Sequence, residues 1–137
     1  MKVKQPSVDQ VIKVNQYVCL EGGNNHVLFD RGKIESALHA TFYPGTYPFE
    51  HGGVAGIAGA MAFYLTRAHA FQDGNKRTAA TVSSTFMSIN GWALSYVFDE
   101  KSGRNDFAET ILKCASAEAA KPEVINWFET HKVKLTE

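Results

Sequence analysis

The sequence predicts an all-α, single-domain protein of about six helices with at most one small hairpin. Three observations carry this reading. Apolar residues recur at helical spacing in several separate segments. Those segments are bounded by helix start and stop signals. The length, 137 residues, suits one domain, and no repeat, low-complexity tract or linker divides residues 1–137.

Ser7 opens the first helix. Ser7 and Gln10 fit a capping box, in which each side chain covers a free backbone N–H of the first turn. Val8, Val11, Ile12, Val14, Tyr17 and Val18 follow as its apolar residues, and Gly22-Gly23 ends it. Asp30 is the expected cap of a short second helix through Ile34, Ala37 and Leu38. Phe42 to Phe49 contains Pro44, Gly45 and Pro48, which rules out a helix. It reads as an extended loop or short hairpin.

From Gly53 to Ala68 the chain is apolar and rich in small residues. Glycine inside a helix costs up to about 1 kcal/mol. The glycines here therefore point to a central helix packed closely on its neighbours. His69 to Gly74 breaks the pattern. A second long helix runs from Asn75 to Ile89 and closes at Asn90-Gly91. Trp92 to Phe98 reads as a short strand or extended edge. Ser102 or Asn105 caps a helix with Phe107, Ile111, Leu112 and Ala115. Pro122 fits the first turn of a last helix, with Val124, Ile125, Trp127 and Phe128 on its apolar side.

Composition excludes several classes. Apolar residues make up 45% and charged residues 20%, which argues against a disordered chain. Lys+Arg and Asp+Glu each number 14, so the basic excess of a nucleic-acid binder is missing from the totals. The longest apolar run, Gly52 to Leu65, is too short against the ~20 residues that span a bilayer. The opening MKVKQPSVDQ has no apolar core of a secretory signal, so a cytoplasmic location is expected. Cys19 and Cys114 form no CxxC pair and are expected to be buried thiols.

The chemistry is concentrated in one loop, His69-Ala70-Phe71-Gln72-Asp73-Gly74-Asn75-Lys76-Arg77-Thr78, between the two longest expected helices. A helix start carries free N–H groups and a positive dipole end, so it attracts anions. Gly74 lets the backbone approach a ligand or take a positive φ. Lys76 and Arg77 add full charges there, although a helix start favours acids. That conflict with stability marks function. Asp73 can hold a hard cation such as Mg²⁺ beside phosphate oxygens. His69 is the candidate general base, histidine being the residue type that titrates near neutral pH. The pattern is neither a P-loop nor a His-Glu-x-x-His zinc motif.

The segment HAFQDGNKRTA resembles the core motif of the Fic/Doc superfamily, in its death-on-curing (Doc) branch. The general pattern is His-x-Phe-x-[Asp/Glu]-Gly-Asn-Gly-Arg-x-x-Arg. His69, Phe71, Asp73, Gly74, Asn75 and Arg77 match it. Lys76 replaces the second glycine and Ala80 the second arginine, as in Doc-type proteins. Gly22-Gly23, Ile34 to Leu38, Tyr47-Pro48 and Asn90-Gly91 also fall where Doc-like sequences have similar pieces.

The resemblance implies an all-α Fic fold, with the motif loop between two central helices and a short flap hairpin at Phe42 to Glu50. It implies ATP and Mg²⁺ as cofactors and a protein hydroxyl as acceptor. Most Fic members transfer AMP; Doc-type toxins transfer the γ-phosphate of ATP to elongation factor Tu and block translation. Lys76 would obstruct the AMP-transferring orientation, and Ala80 cannot supply the second arginine, so a kinase-type toxin is the expected function. In that scheme His69 takes the target's proton. Asp73 holds Mg²⁺. Gly74, Asn75 and Lys76 cradle phosphate, and Lys76 and Arg77 neutralise transition-state charge. Phe71 anchors the loop. Arg67 is a secondary candidate for a phosphate contact, its alternative being a solvated helix-end residue. The branch also implies a small Phd-like antitoxin. The inhibitory [Ser/Thr]-x-x-x-Glu-[Gly/Asn] motif of other Fic proteins does not occur. The competing readings are AMP transfer, a metal-dependent phosphoesterase using His69 and Asp73, and a non-catalytic binding module.

Overall fold

The computed structural model describes residues 3–136. Six helices make up most of it: α1 Val8–Gly22, α2 Arg31–Thr41, α3 Val54–Ala68, α4 Asn75–Ile89, α5 Asp106–Ala115 and α6 Lys121–His131. The all-α expectation holds. No helix is long and apolar enough to cross a membrane among the described residues.

The start signals act as the local chemistry requires. Ser7 Oγ accepts from the Gln10 N–H at 3.1 Å, and Gln10 Oε1 accepts from the Ser7 N–H at 2.8 Å. Asp30 accepts from the Gly32 N–H at 2.8 Å. Asn105, rather than Ser102, caps α5 through the Ala108 N–H at 2.9 Å. Gly23 closes α1 at φ 71°.

Helix α3 is the centre of the molecule and packs against α2, α4, α5 and α6. Its glycines are contact points. A Cβ on Gly59 would lie 2.8 Å from the Ile125 Cα of α6, and one on Gly56 would strike the His51 backbone carbonyl. Phe86, Phe128, Ile57, Met61 and Ile111 fill the core around it.

Three features differ from the sequence reading. Phe42 to Glu50 forms no strand. It is a turn-rich loop whose ends meet through the Glu50 N–H and Tyr43 C=O at 2.9 Å. Its prolines and glycine favour turns over a paired ladder. Phe42 and Phe49 are buried and pack 6.0 Å apart, whereas Tyr43 and Tyr47 are exposed. The paired strands lie elsewhere: β1 Trp92–Leu94, within the expected extended stretch Trp92 to Phe98, pairs with β4 Lys132–Lys134, and β2 Phe98–Asp99 pairs with β3 Arg104–Asn105, both antiparallel. Tyr17 and Leu112, expected among the apolar faces, are 60% and 55% exposed, while Asn15 is fully buried.

Candidate functional site

The loop between α3 and α4 is held on three sides. Helix α3 ends at Ala68, and His69 takes the left-handed conformation at φ 48°, turning the chain out of the helix axis. Ala70 and Phe71 then run beside residues 27–29. The Phe29 N–H donates to the Ala70 C=O at 2.8 Å, and the Gln72 N–H to the Val27 C=O at 3.0 Å. Phe71 is 4% exposed and is the expected anchor. Asn75 reaches back across the turn: its Nδ2 donates to the Phe71 C=O at 2.8 Å, and its Oδ1 accepts from the Phe71 N–H at 3.2 Å. The Asn75 side chain therefore braces the loop, and Asn75 also borders the pocket.

Sequence reasoning missed the third support. Asn15, in the middle of α1, donates from Nδ2 to the Asp73 C=O at 2.8 Å and to Thr78 Oγ1 at 3.1 Å. Its Oδ1 takes a 2.6 Å contact from His26 Nδ1, which fixes that nitrogen as the protonated one. One buried amide thus joins α1, the 24–30 segment, the loop and α4. A polar residue amid an apolar helix pattern was the available signal.

Gly74 sits at the tightest point. Its φ is 78°, and a Cβ there would come within 3.1 Å of Asn15 Nδ2 and 3.2 Å of both Cys19 Sγ and Val18 Cγ2. Conformation and space both demand glycine. Among the described residues no side chain caps α4, so its first N–H groups are left without a side-chain partner there.

These groups border a cavity of about 380 Å³. His69, Asp73, Gly74, Asn75, Lys76 and Arg77 all line it. The structure thus brings these six sequence-predicted residues to one cavity. Among the described residues no hydrogen bond or ion pair occupies the His69 imidazole, the Asp73 carboxylate or the Lys76 ammonium. Arg77 differs. It donates from Nη1 to the Val18 C=O at 2.7 Å and from Nη2 to Asn24 Oδ1 at 2.8 Å. The guanidinium fills the space where Gly22 would carry a Cβ. Arg77 ties α4 to the end of α1 as well as bordering the pocket.

Arg67 is not brought into this site. It lines a separate 670 Å³ groove between α2 and α3, with its guanidinium 5.5 Å from the Phe63 ring centre. No group of three or more His, Cys, Asp or Glu residues converges among the described residues, so a protein-only transition-metal site does not fit. A single carboxylate facing a cavity lined by cations and helix N–H groups does fit Mg²⁺, which takes one or two carboxylates together with phosphate oxygens. Cys19 and Cys114 are buried free thiols, as expected.

A family model described as the Fic/DOC family matches residues 6–87, more than half of the chain. The match takes in α1, α2, α3 and the motif loop, and it ends inside α4. No curated protein matches the chain.

Proposed function

The chain belongs to the Fic/DOC family, and from that premise we propose that it is a Doc-like toxin that transfers the γ-phosphate of ATP to a threonine or serine hydroxyl of a target protein. Elongation factor Tu is the proposed target, a Phd-like antitoxin the proposed partner and the cytoplasm the proposed location, all by resemblance to the Doc branch. The observation that carries the reading is the shared pocket. A histidine, a carboxylate, an uncapped helix start and two cations border one cavity.

The roles follow from chemistry. His69 accepts the proton of the target hydroxyl as its oxygen attacks the γ-phosphorus. The bond from that phosphorus to the β,γ-bridging oxygen breaks, and ADP departs. His69 then releases the proton to solvent. The first N–H groups of α4 and the Lys76 ammonium face the charge on the phosphoryl oxygens, the principal task in phosphoryl transfer. Arg77 keeps N–H groups beyond the two spent on Val18 and Asn24. A magnesium ion on Asp73 would offset phosphate charge.

Lys76 supports phosphate transfer over AMP transfer. It stands exposed in the first turn of α4 at the lip of the pocket, where the general motif has glycine. The test uses γ-labelled and α-labelled ATP with a bacterial extract. Label on a protein from the γ position alone is expected. Label from the α position would establish AMP transfer, and label from neither would leave a binding module. The double variant Lys76→Gly with Ala80→Arg should lose about 10²–10³-fold in γ-transfer, the usual effect of removing one transition-state donor. Unchanged γ-transfer in that variant would remove Lys76 as the determinant of reaction type.

A further inference from the structure

Thr66 carries the one buried side-chain nitrogen or oxygen without a hydrogen-bond partner among the described residues. Such a group costs about 1–3 kcal/mol, so its persistence calls for a reason. Three buried or half-buried helical hydroxyls elsewhere bond to the carbonyl one turn back, and buried Thr78 instead accepts from Asn15 Nδ2 at 3.1 Å. Thr41 Oγ1 donates to the Ala37 C=O at 2.7 Å, Ser83 Oγ to the Ala79 C=O at 2.7 Å, and Thr110 Oγ1 to the Asp106 C=O at 2.9 Å. Thr66 makes no such bond to the carbonyl one turn back. It is 1% exposed and lies in the wall of the motif cavity.

The partner has to come from the cavity side. The hydroxyl is sealed from solvent, so a phosphate oxygen in the cavity meets the groups above it first. His69 is the candidate with the right chemistry. It lies three residues further on, just past the end of α3. Its imidazole lines the same wall and has no hydrogen bond. A general base needs its second ring nitrogen held, so that the reactive one carries a lone pair in the right direction. A hydroxyl can do this for either tautomer, since it both donates and accepts.

We infer that Thr66 is a positioning residue: its hydroxyl holds the inner nitrogen of His69 when nucleotide is bound. The inference rests on the reading of His69 as general base. Its test is Thr66→Val, which keeps the shape and removes the hydroxyl, beside Thr66→Ser, which keeps the hydroxyl. The valine variant should melt at or above the wild-type temperature, because an unsatisfied buried group is gone. It should bind Mg·ATP as the wild type does by calorimetry. Its γ-phosphate transfer in extract should fall about tenfold or more, consistent with loss of aim in a general base, and serine should restore it to within about twofold. In the complex with a non-hydrolysable ATP analogue, the ring-nitrogen NMR shifts of His69 should report one tautomer in the wild type and a mixture in the valine variant. Equal transfer rates and equal His69 shifts would overturn the inference. Weakened ATP binding would also overturn it, in favour of a direct ligand contact. A lower melting temperature with unchanged transfer would make the hydroxyl structural. If the wild type binds the analogue but transfers no label, the phosphotransferase reading fails and the His69 shifts still decide the role of Thr66. If the wild type binds no nucleotide, both fall together.

Discussion

Asn15→Ala is the sharpest test of how the motif loop is held. The substitution deletes the donors to the Asp73 C=O and Thr78 Oγ1 and the acceptor for His26 Nδ1. Each neutral hydrogen bond contributes about 1 kcal/mol net, and the buried partners left behind add desolvation. Asn15 is fully buried, so water does not replace the amide. His26 is only half-buried and can turn toward solvent, which limits its share. The expected loss is about 3–4 kcal/mol, against total stabilities of about 5–15 kcal/mol for domains in general. At this chain length that corresponds to about 10–15 °C in melting temperature. Urea unfolding followed by circular dichroism gives the free energy, and titration with Mg·ATP reports the loop. Asn15→Asp sharpens the experiment. It keeps the shape but sets a carboxylate oxygen against the Asp73 carbonyl, so it should destabilise comparably at neutral pH. A loss below about 1 kcal/mol in both variants, with ATP affinity unchanged, would refute the idea that one buried amide holds the site.

Two further outcomes follow from other observations. His69 occupies φ 48°, a region that costs a non-glycine residue about 1–2 kcal/mol. His69→Gly should therefore melt no lower than the wild type while losing about 10²–10⁴-fold in transfer. A clear drop in melting temperature would show that the imidazole also supports the fold. Burial pushes the Cys114 thiol up from 9.0 to about 11. The folded protein then keeps a proton that the unfolded chain releases, so stability should fall as pH rises from about 9 through about 11. Denaturation at stepped pH should show this slope, and Cys114→Ala should flatten it.

The readable parts of the sequence were those with local causes. Ser7 with Gln10, Asp30 and Asn105 each meet a backbone N–H within three residues, so the helix starts follow from the chain alone. The motif was legible for the same reason, because Gly74 and the residues after it set an uncapped helix start and two cations within one turn. What escaped is non-local. Trp92 pairs with Lys134 across two intervening helices, and nothing near Trp92 names that partner. Asn15 touches Asp73 and Thr78 only because α1 packs on α4. In the sequence it is a polar interruption among valines. Thr66 is subtler still, since its distinction is a bond that it does not make. Arg67 shows the converse. Two residues from His69 in sequence, it belongs to another face of the protein, because each step along a helix turns the side chain by about 100°.

The near-contact of α3 with α6 bears on how far the helix that leads into the site can move. Gly59 leaves its backbone against that of Ile125, with the Phe128 ring beside it. Sliding α3 along its axis by about a turn would drive Ala55 or Ala62, which share the face of Gly59, toward that spot, where a methyl group does not fit. Helix α3, which carries Thr66 in the pocket wall, is therefore held by a helix that lies beyond residues 6–87. Axial movement of α3, and with it of the chain that enters His69, is disfavoured.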